Sequence, residues 1–324
     1  MRILLTTTSY QDTPGQHHAI LEQSGFEVVT DRGPLPESRM LELVQQHGGF
    51  DGLLNGDDII SAKVIDAALS ASTPLKVIAK YGIGLDSIDV KHATSKQLPV
   101  LFTPGVNHTT VAEHAFGLMI AASKHMWFHM NTVKQGQWKR QTGNELWGKT
   151  IGVIGMGRIG KEVITRGRAF GMRPIANDLY WDQAFATQHD VQRADTPEDV
   201  LKQADYISLH MPSTDETRGY INKQRIAMMK DTAVLINTAR GTLVVEQDIA
   251  DACRNGQMAA YATDVLAQEP IKTPHPFTDV DNIIVTPHVG SRTYESVERQ
   301  AVRATKNIVN YLTGDQDFIQ ANQF

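Results

Sequence analysis

Three residues in the C-terminal half of the sequence could together hold an anion and move a proton. Arg240 follows the apolar run of Val234-Leu-Ile-Asn-Thr-Ala-Arg240-Gly241. Glu269 lies in Asp264-Val-Leu-Ala-Gln-Glu269-Pro270, and His288 in Ile283-Ile-Val-Thr-Pro-His288-Val-Gly290. A guanidinium fork suits a carboxylate and an adjacent carbonyl oxygen at once. A histidine is the usual donor when a carbonyl oxygen must gain a proton as its carbon gains a hydride. A glutamate on the other ring nitrogen holds the tautomer and favours the imidazolium. Singly, each residue has a blander reading as an ion-pair partner or a turn residue. Their joint occurrence at three strand ends, where open α/β sheets place their ligands, argues for chemistry.

A fourth motif supplies the redox partner. Lys149-Thr-Ile-Gly-Val-Ile-Gly155-Met-Gly157-Arg-Ile-Gly160 runs an apolar strand straight into glycines at the spacing of a dinucleotide fingerprint. Gly155 allows the tight turn, Gly157 the approach of backbone to pyrophosphate, and Gly160 the packing of the next helix on the strand. The phosphates are expected at that helix N-terminus, whose N–H groups and positive dipole end favour anions. A second strand, Arg173 to Ala176, leads to Asp178, placed to accept the adenosine-ribose hydroxyls and to repel a 2′-phosphate. Leu179, Tyr180 and Trp181 offer no arginine to that phosphate, so NAD is expected rather than NADP.

The elements that must position these residues follow the alternation of short apolar runs with amphipathic segments, which implies parallel strands joined by helices. In the first hundred residues, strands are expected at Ile3 to Leu5, Phe26 to Val29, Gly52 to Leu54 and Lys76 to Ala79. Helices are expected at Glu37 to His47 and Ser61 to Leu69, with Ser61 as a cap. One long helical tract from about Asn107 to Gly136 precedes the strand Thr150 to Ile154, and Tyr294 to Leu312 reads as an amphipathic helix returning to the N-terminal portion. The fold class expected is α/β with two domains: a Rossmann-type doubly wound parallel sheet inserted into a smaller flavodoxin-like substrate domain. The boundaries are 1–103 plus 291–324 for the substrate domain and 104–290 for the NAD-binding domain, with Pro104-Gly105 and Pro287 to Gly290 as hinges.

Composition narrows the partners. With 324 residues, 41% of them hydrophobic, and a formal net charge of −5, the chain can bury a large core and lacks the basic patch of a nucleic-acid binder. No apolar run reaches membrane-spanning length, and the opening Met1-Arg-Ile-Leu-Leu5 is too short for a secretory signal, so a cytoplasmic protein is expected. The single Cys253 excludes an intrachain disulfide and a cysteine zinc site. His125 and His129 have a spacing that suits metal ligands but no evident third ligand, so no metal is expected; His114 is expected to be structural.

Taken together, Lys80-Tyr-Gly82-Ile-Gly84-Leu-Asp86, Thr110-Val-Ala-Glu-His114, Gly155 to Gly160, Asn237 to Gly241, Asp264 to Pro270 and Thr286 to Gly290 resemble the D-isomer-specific 2-hydroxyacid dehydrogenase family, and within it 3-phosphoglycerate dehydrogenases most. The resemblance runs from about Leu75 to Leu312. It implies Arg240, Glu269 and His288 as the catalytic trio, and the backbone around Gly82 and Ile83, with Lys80 and Tyr81, as a substrate-carboxylate site. It extends the cofactor residues to Thr110, Arg158, Ile159, His210, Met211, Pro212, Thr217, Thr238, Ala239, Asp264 and Gly290, with Arg240 and His288 also facing the cofactor. It further implies closure of the two domains to exclude water, and a homodimer held partly through Thr110 to Gly148.

The substrate expected is a small 2-hydroxy or 2-keto acid, 3-phosphoglycerate/3-phosphohydroxypyruvate first. Gly136 to Leu146 is similar to phosphoglycerate dehydrogenases, where a residue matching Arg140 helps hold the phosphate. Lys80 stands where those enzymes often have an arginine and can bind phosphate only as a point charge, and Tyr81 replaces a small residue. Hydroxypyruvate, glyoxylate and other keto acids are the alternatives. Because the chain ends soon after Leu312, a C-terminal regulatory domain is expected to be absent. A reading of another class is an NADH-binding regulator of the corepressor type; a formate-type enzyme would pair its histidine with glutamine rather than Glu269.

Overall fold

The computed structural model describes all residues, 1–324, and divides into two compact units, one made of Met1–Asn107 and Arg292–Phe324 and the other of His108–Ser291.

The first unit is a parallel sheet of five strands, β1 (Arg2–Leu5), β2 (Glu27–Thr30), β3 (Gly52–Asn55), β4 (Val77–Lys80) and β5 (Val100–Leu101), in the order β2-β1-β3-β4-β5. That is the flavodoxin-like order expected from the sequence. The inner strands β3 and β4 are wholly buried, as their unbroken apolar runs require in a sheet covered on both faces. Val64 N–H donates to Ser61 Oγ at 3.5 Å, so Ser61 caps the helix Ala62–Leu69. Tyr294–Thr313 packs Ala301, Ala304 and Ile308 on Ile3, Leu54 and Val77 in one core.

The second unit is a parallel sheet of seven strands: β6 (Thr150–Ile154), β7 (Arg173–Asn177), β8 (Gln192–Arg193), β9 (Tyr206–Leu209), β10 (Val234–Asn237), β11 (Ala260–Thr263) and β12 (Ile283–Val285). Their order is β12-β11-β10-β9-β6-β7-β8. The chain winds outward in both directions from the β6/β9 pair, so the crevice for a ligand opens at the carboxyl ends of those two strands. Two apolar clusters line the sheet, one around Ile207, Leu235 and Tyr261, the other around Met119, Val153 and Ile236.

Three differences from the sequence reading have physical causes. The expected single helix from Asn107 to Gly136 is two, His108–Ser123 and Met126–Lys134, because His125 takes a left-handed conformation at φ 49°. Residues 6–23, to which no element was assigned, form the short helices Thr8–Asp12 and Gln16–Gln23, held from outside by Tyr10 Oη on Thr305 Oγ1 at 2.7 Å. The edge strand β5 has only two residues and carried no period to read. No helix is long and apolar enough to cross a membrane, and no group of three or more His, Cys, Asp or Glu side chains is arranged to hold a metal.

Candidate active site

The dinucleotide loop occupies the β6/β9 crevice. Gly155 has φ +98°, and a Cβ there would lie 2.7 Å from the carbonyl carbon of His210 and 2.8 Å from Met211 N, so a side chain would force the two strand ends apart. Gly160 packs onto the Gly155 carbonyl, whereas a Cβ on Gly157 would meet nothing within 4 Å. Packing is thus tight at Gly155 and Gly160, and space is open at the middle glycine. The helix Arg158–Ala169 begins at Gly157 with no side-chain cap, leaving its first N–H groups for an anion.

These residues fit NAD. The Asp178 carboxylate, one residue beyond β7, accepts from Met156 N–H and, at 2.6 Å, from Tyr180 N–H, which holds it beside the glycine turn. Thr217 staples the loop after His210, accepting from Thr214 N–H at 2.7 Å and donating to Pro212 O at 2.7 Å. His210 pairs through Nε2 with Ser208 Oγ at 2.8 Å, and burial pushes its pKa down to about 3, so the ring is neutral there. Thr238 Oγ1 and His210 Nδ1 are buried with no protein partner, polar atoms of the kind a bound ligand satisfies.

His288 and Glu269, 19 residues apart, meet: Nδ1 donates to Glu269 Oε2 at 2.6 Å, while Glu269 Oε1 accepts from Leu266 N–H at 2.8 Å. The carboxylate is thus aimed by its own turn, and with Nδ1 committed, proton exchange falls to Nε2. Arg240 opens a short 3-10 turn, Gly241–Leu243, and donates through Nη1 to Ala239 O at 2.7 Å. A Cβ on Gly241 would fall 1.9 Å from the carbonyl carbon of Leu266 and 2.3 Å from Ala267 N. The loop bearing Arg240 therefore lies directly against the turn bearing Glu269, at neighbouring strand ends.

Two residues not assigned these roles from sequence hold this arrangement. Asn237, fully buried at the end of β10, donates through Nδ2 to Arg240 O at 2.9 Å and accepts from Ala239 N–H at 3.0 Å. Asp264, 2% exposed, accepts from Thr286 Oγ1 at 2.6 Å, Val289 N–H at 2.9 Å and Gly290 N–H at 2.7 Å, and its main-chain oxygen accepts from His288 N–H at 2.8 Å. This clamp holds His288 at φ 53°, a conformation uncommon for a side-chain residue. Burial pushes the Asp264 carboxyl up, but donation from His114, Thr286 and Val289 outweighs it and holds the group below the usual carboxylate range. The Asp264 side chain thus braces the His288 loop. His114 belongs to the same clamp, with Nε2 2.9 Å from Thr286 Oγ1.

The first unit holds the loop from Lys80 to Gly84. Gly82, at φ +120°, donates its N–H to Thr103 Oγ1 at 3.0 Å and gives its carbonyl to Thr103 N–H, so its amide is already spent; the N–H of Ile83 makes no such bond. Lys80, 2% exposed, donates to Gly56 O and, at 2.6 Å, to Asp57 Oδ1. Burial raises the Tyr81 hydroxyl pKa above its ordinary value, against a smaller pull from Arg292. Arg140 lies exposed in a stretch of the second unit, residues 137–145, without helix or strand.

Known proteins resemble this chain over most of its length. Residues 116–290 match the family described as "D-isomer specific 2-hydroxyacid dehydrogenase, NAD binding domain". A D-3-phosphoglycerate dehydrogenase of Methanocaldococcus jannaschii is 36% identical over 321 residues, 97% of this chain and 58% of that protein. A glyoxylate reductase of Thermofilum pendens is 38% identical over 298 residues, 89% of this chain and 86% of that one. The crystal structure of the TT0316 protein from Thermus thermophilus superposes with a TM-score of 0.88 at 34% identity, covering 99% of this chain and 100% of that one. Against two of the phosphoglycerate dehydrogenases it matches, the chain spans 58% and 48% of their length.

Proposed function

Because the chain belongs to the D-isomer-specific 2-hydroxyacid dehydrogenase family, we propose that it is an NAD-dependent oxidoreductase interconverting a small D-2-hydroxy acid and the matching 2-keto acid. The observation that carries this reading is the 2.6 Å contact between His288 Nδ1 and Glu269, set beside the Arg240 loop in the unit that bears the glycine fingerprint. The Gly155–Gly160 loop and Asp178 would hold NAD, whose chemistry there would be to supply or take the hydride at C2 of the acid. Arg240 binds the carboxylate and polarises the carbonyl. His288 gives its Nε2 proton to the carbonyl oxygen during reduction, and Glu269 stabilises the imidazolium before transfer and fixes the ring afterwards. Asn237 and Asp264 touch no reacting atom in this scheme and serve as positioning residues.

The substrate's tail is the finer question. The names of the relatives divide between phosphoglycerate dehydrogenase and glyoxylate reductase, and the sequence favours a phosphorylated acid with Lys80 and Arg140 as holders. The pairing of Lys80 with Asp57 counts against that part of the reading. A homodimer is supported by Met126, Met130 and Val133, exposed at i, i+4 and i+7, and by Trp138 and Trp147, which are 80% and 74% exposed. A cytoplasmic location accords with one buried cysteine and no disulfide. Oxidation of NADH by the purified chain with hydroxypyruvate, glyoxylate and 3-phosphohydroxypyruvate tests the activity, and light scattering coupled to size exclusion tests the dimer. A folded, NADH-binding protein that turns over none of these acids refutes the enzymatic reading.

A further inference from the structure

Lys80 is the one cation in the Lys80-Tyr-Gly82-Ile-Gly84 loop, and it is already neutralised. Its side chain is 3% exposed and its ammonium lies 2.6 Å from Asp57 Oδ1, while Asp57 itself is 70% exposed. The pair sits at the carboxyl ends of β3 and β4, neighbours in the sheet, and Lys80 Cε lies 3.8 Å from where a Cβ on Gly82 would stand. Asp57 lies in a hydrogen-bonded turn. Asp58, fully buried, accepts from Leu35 N–H at 2.7 Å and Gly56 N–H at 3.0 Å and from Thr6 Oγ1, and Tyr81 N–H donates to Asn55 O at 2.8 Å.

Resting on the dehydrogenase reading above, we propose that Asp57 is a specificity-determining residue that turns this loop against phosphorylated acids and toward short 2-keto acids with a neutral, hydroxyl-bearing tail. A phosphate dianion drawn to Lys80 must either displace Asp57 or sit beside it, and displacement leaves an exposed carboxylate next to the phosphate. Each course costs like-charge repulsion in a partly desolvated setting. Lys80 gains nothing to offset this, since a buried ammonium already holding a carboxylate at hydrogen-bond distance exchanges one anion for another. A hydroxymethyl tail carries no second charge, and its O–H can donate to the exposed carboxylate of Asp57. On these grounds hydroxypyruvate suits the loop and 3-phosphohydroxypyruvate does not.

The test is steady-state NADH oxidation by the full chain with hydroxypyruvate and 3-phosphohydroxypyruvate, for the wild type, Asp57→Asn and the double variant Asp57→Asn/Lys80→Gln. The wild type is expected to favour hydroxypyruvate at least tenfold in kcat/KM. Asp57→Asn should raise the ratio of phosphorylated to unphosphorylated kcat/KM at least tenfold, and Lys80→Gln in that background should erase the gain. An unchanged ratio in Asp57→Asn, or a wild type that prefers the phosphorylated acid, overturns the proposal and leaves the dehydrogenase reading standing. Turnover of neither acid by a folded, NADH-binding chain overturns both. Should Asp57→Asn fail to fold, wild-type inhibition decides: D-glycerate is expected to inhibit at lower concentration than 3-phosphoglycerate, and the reverse order refutes the role of Asp57.

Discussion

Asp264→Asn is the substitution that separates holding the histidine from being the histidine. The side chain keeps its size but loses its charge, and one of its two acceptor oxygens becomes a donor facing Gly290 N–H or the pair Val289 N–H and Thr286 Oγ1. At least one hydrogen bond to a charged group is lost, worth about 1.5–3 kcal/mol, and a buried donor is left unsatisfied at about 1–3 kcal/mol more. The variant should therefore lose about 3–5 kcal/mol of local stability, concentrated in the Thr286–Gly290 loop. That loop holds His288 at φ 53°, so its release moves the imidazole from its place beside Glu269. A displacement of about 1 Å at a reacting group costs roughly 100-fold in rate, and kcat should fall by that much while NADH affinity changes little. Stopped-flow turnover and NADH fluorescence titration measure the two quantities. A variant within about threefold of wild-type kcat would refute the clamp.

The same residue fixes a pH dependence. Its folded pKa lies below the ordinary carboxylate value, so its contribution to stability is fully present above about pH 4 and is lost as the pH falls through the lower folded value. The difference in thermal midpoint between wild type and Asp264→Asn should be constant from pH 5 to 7 on this account, both well above about 4, and shrink below it. Gly155→Ala places a methyl group 2.7 Å from the His210 carbonyl at a left-handed φ, at a cost of about 2–5 kcal/mol, so calorimetry should show the second unit melting roughly 5–15 °C lower and NADH binding weakened. Glu269→Gln removes the charge opposite His288 and should lower kcat roughly 10- to 100-fold with NADH affinity retained. Asp178→Ala removes the carboxylate opposed to a 2′-phosphate, and the preference for NADH over NADPH should fall roughly tenfold or more in kcat/KM, equivalent to about 1.4 kcal/mol of repulsion.

Strands and glycines were the legible part of the sequence, because their signals are local. The run Thr150 to Ile154 followed by three spaced glycines could be read as strand, turn and helix, and the structure places those elements at those residues. The short helices of residues 8–23 were not legible, since their stability comes from a helix nearly 300 residues away through Tyr10 and Thr305. The break at His125 was hidden because histidine carries no breaker signal, unlike the glycine at many helix ends. In the site, the residues with chemistry were readable by type and those with support roles were not. Asn237 and Asp264 stood inside quoted motifs, but hydrogen bonds to amides two to 26 positions away leave no periodic trace. The neutralisation of Lys80 was likewise invisible, because Asp57 lies 23 residues off and meets it only when β3 and β4 pair.

Proton donation by His288 is tested by NADH oxidation with hydroxypyruvate by the wild type and by His288→Asn, with the product's configuration assigned. The wild type should yield D-glycerate, and His288→Asn should lose roughly 100-fold or more in kcat with NADH binding intact. A His288→Asn variant within a few-fold of wild type would show that another group supplies the proton. A wild type that binds NADH and yields no glycerate would instead point to a nucleotide-sensing protein.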